Sequence, residues 1–348
     1  MSGGVDSSVA AALSAEEGHE TIGVTLKLLP GGATGFGCCG APEDIEDARR
    51  VCEKIGIKHY VLNFDEVFEK TVINLFVEDY LNQRTPNPCV ECNRSVKFGA
   101  LLKLADAWDA DFVATGHYAR IDAGADGSPR LRRSVDEEKD QTYFLHALTQ
   151  KELSRISFPI GHLTKPQVRE RARALGLKTA DKKESQEICF VPNKDYRSFV
   201  RSRVQDAPAL TAGDIQDKSG KKMGRHDGLA HYTIGQRRGI GVSAQSPLYV
   251  TGMDGENNVL TVGPAEETMR LRFRIHKVTW TGGVPLGGSP VGIRIRHRSP
   301  IVRGVLSEHI GSYEAELAEP QRAITPGQTA VFYDGDMVLG GGTIGEVL

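Results

Sequence analysis

The feature that most constrains this chain is the stretch Ser2-Gly3-Gly4-Val5-Asp6-Ser7-Ser8, with the run Val9-Ala10-Ala11-Ala12-Leu13 directly behind it. Adjacent glycines let the backbone turn tightly and approach a ligand with no side chain in the way. The serines add hydroxyl donors, and the helix that starts here aims its unpaired N–H groups at the same point. Together they form an anion cradle suited to phosphate; the plainer alternative is a glycine turn that caps a helix. No G-x-x-x-x-G-K-[ST] occurs anywhere, so the lysine clamp of the common phosphate-binding loop is not expected.

The segments that follow alternate in type. Thr21 to Leu29 reads as a buried strand, Glu43 to Ile55 as a helix stopped by Gly56, and Lys58 to Leu62 as the next strand. Helices are expected from about Val67 to Leu81 and from about Ser95 to Asp106, and a strand over Phe112–Tyr118. Strand and helix in turn, with short glycine stops, predict an α/β fold with a parallel, doubly wound sheet. A hydrophobic strand normally leads into a loop of this kind, so one is expected before Met1.

A chain of 348 residues suits two or three domains. The composition changes past Pro208, where glycines multiply and helical periodicity fades. The expected division is a nucleotide-binding catalytic domain over 1–200, a small central domain over 201–266, and a C-terminal β-barrel over 267–348. No apolar run approaches the ~20 residues needed to span a bilayer, and no signal peptide opens the chain, so the cytoplasm is the expected location and no membrane partner is expected.

The formal net charge is −2, so any nucleic-acid surface must be a local patch. Two candidates stand in the barrel region: Arg270, Arg272 and Arg274 alternate with Leu271, Phe273 and Ile275, and Arg294, Arg296 and Arg298 with Ile293, Ile295 and His297. On a strand, period two puts each triplet on one face, as a basic stripe or as an ordinary solvated face.

The six cysteines are Cys38, Cys39, Cys52, Cys89, Cys92 and Cys189, and none lies beyond, so they are not a disulfide framework spread over the fold. Cys89 and Cys92 follow Thr85-Pro86-Asn87-Pro88, a stiff loop at a helix entrance, where a thiolate is favoured. The C-x-x-C reads as a redox dithiol, half a metal site, or a catalytic cysteine with a neighbour. With no second C-x-x-C, a closed four-cysteine zinc site lacks ligands. Cys189, between Ile188 and Phe190, suits either core packing or a reactive loop. His117 reads equally as a structural partner or a catalytic group. Leu163 to Val168 reads as a capped helix entrance of structural use. Cys38, Cys39 and Cys52 receive no role beyond packing.

The opening stretch resembles the PP-loop of the ATP pyrophosphatases, and nearly the whole chain resembles the bacterial tRNA-specific 2-thiouridylases. Beside Ser2–Ser8, the likeness rests on T-P-N-P-C-V-E-C-N-R-S-V-K-F from Thr85, A-T-G-H-Y-A-R from Ala114 and Lys139–Leu145. It continues through E-S-Q-E-I-C-F from Glu184, T-I-G-Q-R-R-G from Thr233 and the run Pro326–Gly342. The resemblance implies ATP-dependent replacement of the C2 oxygen of a tRNA wobble uridine by sulfur. Met1, Ser2, Gly3, Gly4, Val5, Asp6, Ser7, Ser8, Leu26 and Gly116 would hold ATP with Mg²⁺. Asn87, Pro88 and Cys89 would line the target base. Cys92 is similar to the family's nucleophile, and Cys189 to its persulfide carrier. His117, Lys139, Asp140, Gln141, Arg296, His297 and Gln328 fall at tRNA-contacting positions, with Arg294 beside them. The implied partners are tRNAs of the glutamate, lysine and glutamine type and a sulfur donor such as a cysteine desulfurase or relay protein. Some family members have aspartate where this chain has Cys89, so a second expectation is a [4Fe–4S] cluster on Cys89, Cys92 and Cys189.

Overall fold

A computed structural model describes residues 1–29, 40–183, 188–285 and 288–348. Cys38, Cys39 and Glu184–Glu187 lie outside the described residues.

The helix Val5–Glu16 follows the glycine pair directly, with Gly4 at its N-cap. Strand β1 (Ile22–Lys27) pairs in parallel with β2 (Lys58–Asn63), in register from Ile22 opposite Lys58 to Lys27 opposite Asn63. The helix Pro42–Ile55 crosses between them and ends on Gly56 in the left-handed conformation, at φ +78°. The Met1 ammonium donates to the Val24 carbonyl and Thr25 Oγ1 donates to the Met1 carbonyl at 2.8 Å, so the glycine loop hangs from β1. Strand β3 (Val113–Ala114) is shorter than the sequence suggests, because the chain leaves it to bring Gly116 onto that loop. Next come β4 (Ala119–Ala123) and β5 (Pro129–Arg133), an antiparallel hairpin, and β6 (Ile156–Ser157), which pairs in parallel with β3.

Helix entrances differ from expectation in one telling place. The helix expected from Ser95 already begins at Pro88, continues as a π-helical segment over Cys92–Phe98, and regains α geometry over Gly99–Ala107. Pro88 takes the first helical position, where its missing N–H removes no bond and its fixed φ fits. Pro86, not Pro88, ends the extended approach. Cys89 therefore lies in the first turn, and Cys92 opens a π segment of the kind often found at functional sites.

The central region forms a four-stranded sheet of β7 (Gly213–Gln216), β8 (Lys222–His226), β9 (Tyr249–Asp254) and β10 (Val259–Gly263). The last six strands are β11 (Met269–Trp280), β12 (Pro290–Arg294), β13 (Val302–His309), β14 (Ser312–Arg322), β15 (Thr329–Asp334) and β16 (Met337–Val347). They run in the order β11-β14-β13-β12-β15-β16 and close through a β11–β16 pairing.

The hairpin of β4 and β5 also joins this sheet, through Met337 opposite Arg132. An apolar cluster seals the join: Phe98, Leu131, Tyr143 and Leu145 pack with Val331, Tyr333 and Val338 of the barrel. All three barrel side chains are buried, and each contributes about 1.5–3 kcal/mol by leaving water. Asp336, in the β15–β16 turn, adds ion pairs to Arg120 at 2.7 Å and Arg132 at 2.5 Å. The barrel is thus docked on the catalytic domain through a shared core.

Each arginine triplet keeps only part of the expected alternation: Arg272 and Arg274, and Arg296 and Arg298, are exposed, while Phe273, Ile275, Ile293 and Ile295 are buried. On β11 a register irregularity between Arg270 and Arg272 turns Leu271 outward, and Arg272 and Arg274 pair with Glu314 at 3.6 Å and Glu346 at 2.6 Å. Strand β12 ends at Arg294, so the second triplet does not share a face. Arg294 turns inward to Asp140, whereas Arg296 and Arg298 lie in a turn closed by Ser299 N–H to the Arg296 carbonyl, with Arg298 at φ +69°.

Candidate active site

The glycine loop is tied down from several sides. Gly3 holds φ +71°, and a Cβ there would sit 2.4 Å from the Asp44 carbonyl oxygen. Ser8 Oγ donates to the Gly4 carbonyl at 2.8 Å, and Ser7 Oγ accepts from the Ser2 N–H at 3.1 Å. Gly116 approaches so closely that a Cβ would lie 2.6 Å from Asp6 C and Ser7 N. That contact places the end of the β3 segment against the first turn of the helix, at the carboxyl edge where ligands gather in such sheets. Leu26 is buried in the apolar cluster beneath β1, which also contains Cys92 and Phe190.

Two lysines reach this loop from far along the chain, and no spacing in the sequence marked them. Lys165 Nζ donates to both Asp6 carboxylate oxygens at 2.8 Å. The Tyr118 hydroxyl donates to Asp6 Oδ1 at 2.8 Å as well. Lys182 Nζ donates to the Gly3 carbonyl at 3.0 Å and to Asp44 and Asp47. Burial alone would lower the Lys182 pKa, but its hydrogen bonds to Asp44 and Asp47 outweigh that and hold it above the usual lysine value. The helix entrance around Lys165 keeps its predicted capping box of Thr164 and Gln167, yet the lysine inside it is part of the site.

The cysteine loop stands beside this. Cys89 is open to solvent but hemmed in by protein, and this confinement pushes its thiol up to about 11, with Cys189 adding to the rise and Lys97 opposing it. Lys97 acts in the same direction on His117, whose imidazole pKa is driven well below 6.5, mainly by burial. His117 donates or accepts at Thr115 Oγ1 over 2.8 Å and packs against Phe98 and Phe158, the structural alternative for this residue. Among the described residues, no group of three or more His, Cys, Asp and Glu is arranged to hold a metal ion. Cys92 is buried in the apolar core and Cys189 packs against the same cluster, while Cys89 faces solvent. Cys52 is buried between helix and sheet, with burial raising its thiol.

The other expected RNA contacts divide. Asp140 is 2% exposed and is ion-paired with Arg294 at 3.2 Å and Arg133 at 3.6 Å while accepting from Thr142 Oγ1 at 2.9 Å. In this arrangement Asp140 and Arg294 tie the catalytic domain to the barrel at the domain seam. Gln141 exchanges hydrogen bonds with the backbone of Tyr118, which carries the hydroxyl on Asp6. Lys139 is half-buried, with its N–H on Asp136. His297 packs against Phe144 in a tilted arrangement, with ring centres 4.6 Å apart. Arg296 stays at the exposed rim. Gln328 donates to the Thr85 and Pro86 carbonyls, and Asn87 to Thr329 Oγ1 at 3.4 Å.

Residues 1–193 match the family described as tRNA methyl transferase HUP domain. Residues 197–264 match its PRC-barrel domain and 270–344 the aminomethyltransferase beta-barrel domain. A tRNA-specific 2-thiouridylase from Geobacter metallireducens is 47% identical over 99% of this chain and 95% of its own length. One from Chloroflexus aurantiacus is 49% identical over 99% and 96%. The chain belongs to the tRNA-specific 2-thiouridylases. It is accordingly an ATP-dependent enzyme that thiolates tRNA. A solved U34-tRNA thiolase from Methanococcus maripaludis, 20% identical with a TM-score of 0.36 over 59% of this chain and 62% of that one, is too loosely alike to bear on the cysteines.

For this thiouridylase the raised Cys89 thiol has a direct consequence. Only the thiolate alkylates, and its fraction rises tenfold per pH unit below the pKa. Iodoacetamide modification of Cys89, followed by peptide mass spectrometry, is expected to accelerate about tenfold per unit from pH 8 to 10, without a plateau before about 11. A plateau near pH 8 would mean the thiol is not raised.

Proposed function

We propose that this thiouridylase converts the wobble uridine of glutamate-, lysine- and glutamine-type tRNAs to 2-thiouridine in two stages, adenylation and then sulfur transfer. One observation carries the reading: Gly116 packs on Asp6 and Ser7 of the nucleotide loop, and the next residue, His117, lies with Cys89 in the field of Lys97.

The uridine O2 is a poor leaving group until it is converted to AMP. The first-turn N–H groups of Val5–Glu16, the Ser2 and Ser7 hydroxyls and the two lysines together suit a triphosphate tail held for attack by O2 on its α-phosphorus, with pyrophosphate leaving. Mg²⁺ suits the Asp6 carboxylate, a hard oxygen ligand, and would neutralise phosphate charge there. Lys165 holds that carboxylate in place.

Sulfur arrives as a persulfide on Cys189, loaded by a cysteine desulfurase or relay protein. The Cys92 thiolate attacks the Cys189 sulfur, the Cys92–Cys189 disulfide forms, and hydrosulfide departs toward the base. Hydrosulfide adds at C2, AMP leaves, and an external dithiol later returns the disulfide to two thiols. A stacked anticodon base cannot reach this space, so the uridine is taken out of the stack.

The test is nucleoside mass spectrometry on unmodified tRNA treated with enzyme, Mg-ATP and a persulfide donor. One 2-thiouridine at the wobble position is expected per AMP and per pyrophosphate. Pyrophosphate release with no thiouridine, in the presence of a competent donor, would overturn the second stage.

A further inference from the structure

The loop that carries the cysteines is short of hydrogen-bond donors, because Pro86 and Pro88 have no N–H. Its backbone is completed from the other two domains. The Thr85 N–H donates to the Pro326 carbonyl at 2.8 Å. The single amide of Gln328 donates from Nε2 to the Thr85 carbonyl at 3.0 Å and to the Pro86 carbonyl at 3.1 Å. Thr85 Oγ1 meets Thr233 Oγ1 of the central domain at 3.2 Å. The approach is close as well as polar: a Cβ on Gly327, which holds φ +89°, would lie 2.8 Å from Arg84 Cβ and from Thr85 N. Buried backbone carbonyls need a partner, and here the barrel provides it.

We propose that Gln328 is a positioning residue, which fixes the Thr85–Cys89 segment from the barrel and thereby sets where Cys89 and Cys92 stand relative to the nucleotide loop. Its Nε2 donor is engaged by the two loop carbonyls, so its contribution to sulfur transfer runs through the cysteine segment. The same arrangement makes sulfur transfer depend on a docked barrel, since Pro326, Gly327 and Gln328 lie in the connection that enters β15 from β14. The proposal rests on the reading that the Cys89–Cys92 segment borders the reacting base.

The experiment compares Gln328→Met, which keeps the length and removes both donors, with Gln328→Asn, whose shorter amide cannot span both carbonyls. Three quantities are read in the full-length enzyme: kcat for thiolation, Kd for unmodified tRNA, and the iodoacetamide rate of Cys89 in the absence of substrates. A displacement of about 1 Å costs on the order of 10²-fold, so kcat should fall at least tenfold in both variants. The tRNA Kd should stay within about twofold, and the Cys89 rate should change severalfold. The alkylation rate needs neither ATP nor tRNA, so it reads loop position even if the assigned cysteine roles fail. An unaltered Cys89 rate would overturn the proposal, and so would a tRNA Kd that rises as far as kcat falls. If Gln328→Met does not fold, the same three quantities measured on Gln328→Asn alone decide the matter.

Discussion

Asp6→Asn is expected to lower tRNA-dependent pyrophosphate release by about 10²–10³-fold, the usual loss when one preorganised electrostatic element is removed from a charge-transferring site. The substitution is nearly isosteric, so the helix Val5–Glu16 and its glycine entrance should survive it. What changes is charge. Asp6 receives Lys165 on both oxygens and the Tyr118 hydroxyl on one, and the neutral amide offers a single acceptor oxygen to those donors. It also offers a poor ligand to a hard cation. Lys165 would lose its counter-charge at the loop and could turn to phosphate instead. ATP affinity should therefore change far less than the rate. The decisive measurement is pre-steady-state pyrophosphate release with saturating tRNA, beside ATP binding by calorimetry. Release at the wild-type rate would remove Asp6 from the reaction and return the loop to plain helix capping. Lys165→Met is a useful companion, since it removes the cation and leaves the carboxylate.

Cys189→Ser is expected to abolish thiolation while leaving pyrophosphate release in place. A hydroxyl cannot carry a sulfane sulfur, so no residual route through this position remains. Cys189 packs at the edge of the apolar cluster that holds Cys92 and Phe190, and serine is close to it in size, so the fold should tolerate the change. Nucleoside mass spectrometry of the tRNA and a pyrophosphate assay on the same sample separate the two stages. Loss of both activities would mean that Cys189 serves adenylation or folding, and full thiolation would remove it as carrier. Cys89 gives the contrast: its thiol is raised by its surroundings, so little of it is thiolate near neutral pH.

Much of this chemistry is legible in the sequence. The glycine pair with its serines identifies a tight helix entrance because backbone geometry and hydroxyl donors act within a few residues. The two prolines before the C-x-x-C identify a stiff loop at a helix start for the same reason. Capping and stop signals fare equally well, as the Thr164–Gln167 box and the Gly56 terminator show. Short-range rules mislead where a neighbour outside the window decides the outcome. The Arg294, Arg296 and Arg298 alternation has the period of a strand, but the strand stops at Arg294, whose side chain pairs with a buried Asp140 more than a hundred residues earlier.

By itself the sequence determined the layered α/β domain with a barrel behind it, and through its resemblance to a known family the reaction class. The fold signals rest on local geometry and the resemblance on contiguous motifs. Only the tertiary structure decided which charges meet. Lys165 and Lys182 reach the nucleotide loop across more than a hundred and fifty residues, Asp140 leaves the surface for the domain seam, and Gln328 binds the cysteine loop. The physical reason is that ion pairs and buried hydrogen bonds depend on distance in space over a few ångströms, and separation along the chain places no limit on them.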